Sequence, residues 1–256
     1  MADKRVLICL CARKDALAPE KYVTRFCDIP LYLYSVAAAH VIASWFEEIG
    51  GVDLCINTDD EALKSAMERF PEWTVLLRNP RLSEPSVPKE DVYRDCLVQM
   101  ERQKRVRYDF LVDLDLMAPL RRTSDLIQMV GQFLSTSVDV LFSVVSSRSN
   151  PYYNMVQPDE NGLARQIIAN TNTNLTQAPD CYELNSSMYL FSRDFLIDEM
   201  TFDLWQGRVG LYEMPDIGFL NLAKQKQPEL LEAIGFQLLG KEEYAAIAQQ
   251  AKAFME

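Results

Sequence analysis

Histidine is almost absent from this chain of 256 residues, which contains only His40. A single histidine argues against a Ser-His-Asp triad and against a metal site made of several imidazoles. We expect His40 to be a hydrogen-bonded residue of the core or of an interface. The six cysteines form no C-x-x-C pair, which argues against zinc-binding spacing. Cys9, Cys11 and Cys55 lie in strand-like runs, so we predict reduced core residues in a cytoplasmic protein.

The chain also lacks the glycine-rich signatures of common nucleotide-binding folds. It has nine glycines and neither a G-x-x-x-x-G-K-[ST] motif nor a G-x-G-x-x-G motif after its first strand, which argues against a P-loop NTPase and a Rossmann dehydrogenase. No apolar run reaches the ~20 residues that span a bilayer. Positive charge is scarce, since 26 Lys and Arg oppose 37 Asp and Glu for a net charge of −11. We therefore expect neither a membrane nor a nucleic acid among its partners.

Short apolar runs alternate with longer segments of helical period as far as Ser146. This alternation predicts an α/β fold with a mostly parallel sheet and helices on both faces. The predicted strands are Val6–Leu10, Asp53–Asn57, Trp73–Leu77, Phe110–Leu114, Val140–Val145, Tyr189–Phe191 and Val209–Met214. The predicted helices are Leu31–Ile49, Asp59–Arg69, Lys89–Arg105, Ser124–Leu134 and Glu242–Phe254.

The alternation stops between Asn150 and Leu184, where the chain is rich in Asn, Pro, Gln and Thr. A structureless loop of this length is unusual inside a compact domain. We therefore predict a hairpin or projecting arm that packs on a second subunit. Residues 1–256 are expected to form a single α/β domain, with 150–184 as the inserted arm.

Charged side chains follow the predicted strands, at the edge where open α/β sheets bind ligands. The residues in these loops are Arg13, Lys14 and Lys21; Thr58, Asp59 and Asp60; Arg78, Arg81 and Lys89; and Arg121 and Arg122. So many cations at one edge of an acidic protein predict an anionic ligand, either a polyphosphate or a carboxylate.

Two carboxylates, Asp113 and Asp115, end the fourth predicted strand. Their i, i+2 spacing places both side chains on the same side of a strand. Together they could hold a hard divalent cation such as Mg²⁺ through oxygen ligands. The alternative is one capping or salt-bridged aspartate and one surface aspartate.

Six motifs, in order along the chain, resemble those of the CMP-sialic acid synthetases (acylneuraminate cytidylyltransferases). They are Ala12-Arg13 with Pro19-Glu20-Lys21; Asn57-Thr58-Asp59-Asp60; Arg78 with Leu82, Asp91 and Val92; Tyr108-Asp109 through Pro119-Leu120-Arg121; Asn185-Ser186-Ser187-Met188-Tyr189; and Tyr212-Glu213-Met214-Pro215. Each motif is weak alone, but their order and spacing indicate kinship. Lys89 and the D-L-D sequence at 113–115 are similar to the branch that acts on legionaminic-type sugars.

The resemblance implies a nucleotide-diphospho-sugar-transferase-like fold, a homodimer formed through the arm, and a cytidylyltransferase reaction. The anomeric hydroxyl of a nonulosonic acid, a nine-carbon keto-acid sugar, would attack the α-phosphate of CTP and release pyrophosphate, with Mg²⁺ as cofactor. The implied catalytic residues are Arg13, Lys21 and Asp115. The implied substrate-binding residues are Ala12, Lys14, Thr58, Asp59, Arg78, Lys89, Asp91, Arg121 and Asn185. Asp216 is an implied metal ligand, and Asp113 and Asp115 could compensate for the carboxylate that the family's metal motif lacks here. Arg121 could instead have a structural role.

The sequence departs from this family at Tyr22, where the family has Asn, at Asp115, where it has Gln, and in two motifs. Lys14-Asp15-Ala16 replaces the G-G-S-K of the opening loop, where glycines let backbone N–H groups approach an anion. The family's D-I-D motif is incomplete, whether it is aligned with Asp216-Ile217-Gly218 or with Asn221-Leu222-Ala223. Two other functions therefore stay open. One is a GT-A-like glycosyltransferase with Asp113 and Asp115 as its metal site, and the other is a non-catalytic nucleotide-binding relative.

Overall fold

The computed structural model describes residues 4–18, 20–169, 178–197, 203–215, 222 and 228–256. Its strands are β1 (Lys4–Ala12), β2 (Arg25–Phe26), β3 (Ile29–Pro30), β4 (Gly50–Thr58), β5 (Trp73–Leu77), β6 (Phe110–Leu114), β7 (Val140–Ser146), β8 (Val156–Pro158), β9 (Ala164–Gln166), β10 (Tyr182–Ser192) and β11 (Val209–Glu213). Its α-helices are α1 (Leu31–Phe46), α2 (Glu61–Met67), α3 (Lys89–Lys104), α4 (Thr123–Ser135), α5 (Arg193–Ile197), α6 (Pro228–Leu239) and α7 (Glu242–Ala253).

Seven of the strands form one sheet in the order β11-β7-β10-β6-β1-β4-β5. Neighbouring strands are parallel except around β10, which runs antiparallel to both β6 and β7. Strand β1 is interior to the sheet, and its run Val6–Leu10 is fully buried, as expected for a strand that is covered on both faces. The mostly parallel α/β sheet predicted from the sequence is confirmed.

Helices cover both faces of this sheet. Val6, Ile8 and Leu10 of β1 pack in a core shared with α1, α2, α4, α6 and α7. Leu7 and Cys9 point to the opposite side, into a second core shared with α3 and α5. The alternation along a single strand therefore builds two cores, and it decides which cysteines lie near which helix.

His40 lies at the edge of the first core, as the sequence predicted. Its Nε2 is 3.0 Å from Glu72 Oε1, and its ring centroid is 5.2 Å from that of Phe254. Burial lowers the pKa of His40. These contacts support a structural role.

Strand β10 is longer than the sequence pattern predicts, and helix α6 is not predicted by it. Strand β10 begins at Tyr182, although the apolar pattern predicts a strand only over Tyr189–Phe191. Its register with β7 shifts between Leu184 and Tyr189, and a bulge of this kind interrupts the alternation by which strands are recognised. Helix α6 is also not predicted, because Gly235 lowers helix propensity in its centre.

Residues 150–169 leave the sheet as an exposed hairpin, which is the local structure that the sequence predicted. Strands β8 and β9 pair antiparallel, and every residue in them is exposed. Asp159 Oδ1 organises the turn by accepting hydrogen bonds from the backbone N–H groups of Asn161 and Leu163, both at 2.9 Å.

Among the described residues, no helix is both long enough and apolar enough to cross a bilayer.

Candidate active site

A cleft of about 560 Å³ lies at the carboxyl ends of β1, β4, β5 and β6. Its walls come from the segments that follow these strands: residues between 11 and 22, Asp59, residues between 78 and 89, and residues 115–117. This is the edge of the sheet at which α/β folds bind ligands, and the volume suits a small molecule.

Seven of the residues singled out in the sequence line this cleft. They are Arg13, Lys14, Lys21, Asp59, Arg78, Lys89 and Asp115. Five of these are cations, and the carboxylates that line the cleft, Asp15 included, are three. The cleft therefore has an excess of two positive charges in a protein whose net charge is −11. Such a local excess attracts an anionic ligand despite the overall charge.

Asp15 organises the loop after β1, in the place where the resembling family has glycines. Its Oδ1 accepts the backbone N–H of Leu17 at 3.0 Å, and its Oδ2 accepts Lys21 Nζ at 3.0 Å. The hydrogen bond from Lys21 holds the pKa of Asp15 below its usual value. Tyr22 completes the loop by donating its hydroxyl to the carbonyl of Arg13 at 3.0 Å. These side-chain hydrogen bonds fix the conformation of a loop that contains no glycine.

Arg13 and Lys14 present exposed side chains, and neither forms an ion pair with any residue that the structure describes. The backbone N–H of Lys14 donates to Asp59 Oδ1 at 2.6 Å, and Ser83 Oγ donates to Asp59 Oδ2 at 2.6 Å. Burial works in the opposite direction, but these hydrogen bonds lower the pKa of Asp59. Asp59 thus ties the cationic loop to the segment after β5.

Arg78 and Lys89 form a less exposed cationic wall. Arg78 is 8% exposed, and its Nε donates to Asn57 Oδ1 at 2.8 Å. Lys89, the first residue of α3, donates from Nζ to Asp113 Oδ2 at 2.7 Å and lies 4.0 Å from Asp115 Oδ2. Burial alone would lower the pKa of Lys89, but the two carboxylates outweigh it and raise the pKa.

The two aspartates of the D-L-D sequence lie in different environments. The side chain of Asp113 is 2% exposed, its Oδ2 also accepts the Tyr93 hydroxyl at 2.7 Å, and burial raises its pKa. The side chain of Asp115 is 23% exposed and lines the cleft. Its Oδ1 accepts the backbone N–H of Met117 at 2.7 Å, which leaves lone pairs for a further ligand.

Oxygen donors of this kind fit Mg²⁺, which proteins commonly hold through one or two carboxylates together with substrate phosphates. Asp115 is the cleft carboxylate with the most spare acceptor capacity, because Asp15 and Asp59 each accept hydrogen bonds on both oxygens. Asp216, the third residue implied as a metal ligand, lies outside the described residues.

Arg121 and Asn185 lie beneath the cleft wall. Arg121 is 3% exposed and donates to Ser35 Oγ, Ser187 Oγ and the carbonyls of Ser187 and Asp115, at 2.6 to 3.1 Å. Burial lowers the pKa of Arg121 to about 10, so it stays charged at neutral pH. Asn185 Oδ1 accepts the backbone N–H of Ser187 at 3.0 Å. These bonds fix the bulge of β10 and the backbone of Asp115.

Ala12, Thr58 and Asp91 do not line the cleft. Ala12 and Thr58 are the buried, aligned last residues of β1 and β4. Thr58 Oγ1 accepts the backbone N–H of Asp60, the residue that caps α2. Asp91 pairs with Arg94 at 2.7 Å on α3. Their implied contacts with a substrate stay predictions.

The sequence analysis did not assign Asp15, Tyr22 or Cys11 to the site, although all three line the cleft. Asp15 carried a usable signal, because an aspartate that begins a short turn commonly accepts the N–H two residues on. Tyr22 and Cys11 carried none, since nothing in their local pattern indicates which face they line.

No family model matches the chain. Its sequence is nevertheless 29% identical over 193 residues to flagellin modification protein B of Campylobacter coli, which covers 75% of this chain and 79% of that protein. It is 28% identical over 194 residues to CMP-N,N'-diacetyllegionaminic acid synthase of Campylobacter jejuni, which covers 75% of this chain and 80% of that protein. Both relatives support a likeness of this chain to the CMP-sialic acid synthetases. The resemblance carried by the six motifs is confirmed.

Solved structures share its fold. A CMP:2-keto-3-deoxy-manno-octonic acid synthetase complexed with CTP aligns with a TM-score of 0.52 and 17% identity, over 99% of this chain and 98% of that chain. A 4-diphosphocytidyl-2C-methyl-D-erythritol synthase from Anaerococcus prevotii aligns with a TM-score of 0.60 and 12% identity, over 91% and 96%. The predicted nucleotide-diphospho-sugar-transferase-like fold is confirmed.

Proposed function

We propose that this chain is a cytidylyltransferase that couples CTP to the anomeric hydroxyl of a nonulosonic acid and releases pyrophosphate. The observation that carries the proposal is the cationic cleft at the strand ends, in a chain similar to a protein named CMP-N,N'-diacetyllegionaminic acid synthase. Both substrates of that reaction are anions, and a cleft with excess positive charge suits them.

The loop after β1 is the proposed triphosphate site. Arg13 and Lys14 are exposed and lack ion pairs with described residues, so their charges are available to phosphate oxygens. Lys21 is paired with Asp15, and it would exchange this carboxylate for a phosphate when nucleotide binds. These charges would stabilise the pentavalent α-phosphate and the leaving pyrophosphate more than the ground state.

Asp115 is the proposed ligand for Mg²⁺, with Asp113 second and Asp216 contributing if its segment reaches the site. Bound Mg²⁺ would offset charge on the triphosphate. Asp115 is well prepared for this role, because Arg121 holds its backbone carbonyl and Met117 holds one of its carboxylate oxygens. Its remaining lone pairs then have a fixed direction.

The remaining cations would bind the other parts of the substrates. Arg78 is oriented by Asn57, which suits a residue of the nucleotide pocket. Lys89 is ion-paired with Asp113 but also lines the cleft, where a sugar carboxylate could reach it.

The redox state of the cysteines bears on where the protein works. Six free cysteines, with no disulfide among them, support a reducing and therefore cytoplasmic location.

The direct test of this proposal is pyrophosphate release with CTP, Mg²⁺ and N,N'-diacetyllegionaminic acid or a related nonulosonic acid. Release should require both the sugar and CTP, and UTP should substitute poorly. Hydrolysis of a ready-made sugar nucleotide without use of CTP would favour the glycosyltransferase alternative. Silence with every donor, from a protein that still binds CTP, would favour the non-catalytic alternative.

The glycosyltransferase alternative has less support from the site geometry. A D-x-D metal site needs both carboxylates near the ion, whereas Asp113 is buried with one oxygen bound to Lys89 and Tyr93. Only Asp115 of the pair lines the cleft.

We also propose that residues 1–256 form one domain whose arm, 150–184, pairs two subunits into a homodimer. The hairpin exposes apolar side chains that a partner would cover, among them Val156 at 61% and Leu163 at 60%. Light scattering should give a dimer for the parent protein, and the double variant Val156→Asp/Leu163→Asp should be a monomer. Leu230→Asp, at an exposed apolar residue of α6, should leave the dimer intact. A strictly monomeric parent at micromolar concentration would rule out this role for the arm.

A further inference from the structure

Four of the six cysteines gather on one face of the sheet, behind the wall of the cleft. Cys9 in β1 is in register with Cys55 of β4 on one side and with Asp113 of β6 on the other. Cys11 follows two residues after Cys9, so it points to the same face. Cys96 approaches from α3 and packs in the same buried cluster as Cys9, Cys11 and Cys55.

Asp113 adds a carboxylate to this group of thiols. Asp113 is 1% exposed, and its Oδ1 has no hydrogen-bond partner among the described residues, although Oδ2 has two. A buried acceptor without a partner is costly, so this oxygen is suited to a further ligand. The sulfurs of Cys9 and Cys11 and a carboxylate oxygen of Asp113 all lie within 4.8 Å of one another.

The spacing of these atoms matches tetrahedral coordination by a thiophilic cation. A Zn–S distance of about 2.3 Å puts two sulfurs of one tetrahedron about 3.8 Å apart. The sulfurs of Cys9 and Cys11 are 3.9 Å apart in the structure. Asp113 supplies an oxygen as the third protein ligand, which leaves the fourth position of the tetrahedron to a water molecule. Thiolates favour Zn²⁺, Cd²⁺ or Cu⁺ over the hard Mg²⁺ expected at Asp115.

A cation can reach the thiols from the cleft. Cys11 is half-buried and lines the cleft, whereas Cys9, Cys55 and Cys96 are fully buried. The surrounding side chains are apolar, including Leu76, which limits access to this one direction. Burial raises the pKa of the Cys9 thiol.

We propose that Cys9, Cys11 and Asp113 form a binding site for a thiophilic cation, Zn²⁺ or Cd²⁺, which enters through the cationic cleft. Binding breaks the S–H bonds of the ligating cysteines, forms sulfur–metal bonds and releases the protons to solvent, with no change in oxidation state. The site does not depend on the proposed cytidylyltransferase activity, so it can be tested without substrates.

The test is a titration of the reduced full chain with Cd²⁺ and with Zn²⁺ in weakly buffered solution. One equivalent of Cd²⁺ should produce sulfur-to-metal charge-transfer absorption in the ultraviolet, and binding should release protons. Cys11→Ser should weaken binding by about 10²-fold or more, since even outer-shell partners are typically worth 10–100-fold. The matched control is Cys181→Ser, a half-buried cysteine outside the group, which should bind like the parent.

A measurement on the parent protein covers the case in which Cys11→Ser does not fold. Zn²⁺ should slow the alkylation of Cys11 while leaving that of Cys181 unchanged, and Mg²⁺ should protect neither. The proposal is overturned if no charge-transfer absorption appears, if Cys11→Ser binds as tightly as the parent, or if Zn²⁺ leaves Cys11 as reactive as before.

Discussion

The surface of the cleft and the polar layer beneath it both contain arginine and aspartate, but these residues are exposed at the surface and buried beneath it. At the surface, Arg13 and Lys14 are exposed and have no ion pair among the described residues, and Asp115 is partly exposed. Beneath it, Arg121 and Asp113 are almost fully buried and bonded to several neighbours. The two layers meet at Asp115, whose carbonyl belongs to the lower layer and whose carboxylate belongs to the upper.

This difference separates ligand binding from stability. Removal of an exposed, unpaired charge costs little folding free energy, so its effect should fall on an anionic ligand. Removal of a buried charge leaves its partners unsatisfied inside the protein and costs stability directly. The variants below are ordered from the largest expected effect to the smallest, and each one tests whether the two layers are as separate as their burial indicates.

Asp115→Asn should have the largest effect, because among the described cleft carboxylates Asp115 has the most spare acceptor capacity. We expect metal-dependent turnover to fall by about 10³-fold or more, with little change in the free energy of unfolding. Asp216→Asn should give a smaller loss. Pyrophosphate release across a Mg²⁺ titration measures both, and Asp194→Asn, an exposed carboxylate outside the cleft, is the control. Parent-like turnover by Asp115→Asn would remove it from the metal site.

Arg121→Met should act through stability. The substitution removes four buried hydrogen bonds, which Arg121 donates to the hydroxyls of Ser35 and Ser187 and to the carbonyls of Asp115 and Ser187. We expect the free energy of unfolding to fall by about 3 kcal/mol or more. Urea denaturation measures this loss. An unchanged midpoint would mean that the buried layer does not support the cleft in this way.

Arg13→Ala and Lys21→Ala should lower the activity and leave the stability nearly unchanged. Each removes a charge-assisted phosphate contact, so kcat/KM for CTP should fall by about 10²-fold. The free energy of unfolding should stay within about 0.5 kcal/mol of the parent value for Arg13→Ala, and within about 1 kcal/mol for Lys21→Ala, which also loses the ion pair with Asp15. Arg107→Ala, an exposed arginine outside the cleft, should change neither quantity. If both cleft variants used CTP like the parent protein, the triphosphate would have to lie elsewhere.

Asp59 should produce the smallest effect, which depends on pH. Its folded-state pKa lies below the unfolded value, so ionised Asp59 stabilises the fold above a pH of about 4. That contribution is lost as the pH falls through the lowered pKa. Asp59→Asn should therefore be less stable than the parent at neutral pH, and the difference should shrink in acid. Urea denaturation over this pH range measures it, and a difference that grows in acid would contradict the assignment.

The sequence predicted the framework well where the pattern was uninterrupted. Trp73–Leu77 and Phe110–Leu114 match the observed strands at both ends, because each is a short apolar run next to polar residues. The prediction for β10 was too short, since its first half is polar and Ser186 has a φ of 58°. The pairing of β10 with both neighbours supplies what its own pattern lacks.

The sequence predicted which residues lie near the cleft, but not which of them are buried and which are exposed in it. Strand order alone places Arg13, Arg78 and Asp115 at one edge of the sheet, and all three line the cleft. Nothing in the sequence distinguishes Asp113 from Asp115, although Lys89 and Tyr93 of α3 both donate hydrogen bonds to Asp113 and neither donates one to Asp115. The thiol group was equally hidden, because it depends on how α3 packs on β1 and β4.

A crystal structure with CTP and Mg²⁺ tests the central claim most directly. We predict that the triphosphate contacts Arg13 and Lys21, that Lys21 releases Asp15, and that Asp115 lies within direct or one-water reach of the ion. Arg121 should keep its bonds to Ser35 and Ser187, since it belongs to the lower layer. A triphosphate bound away from the loop after β1, or an ion that neither Asp113 nor Asp115 can reach, would contradict this account.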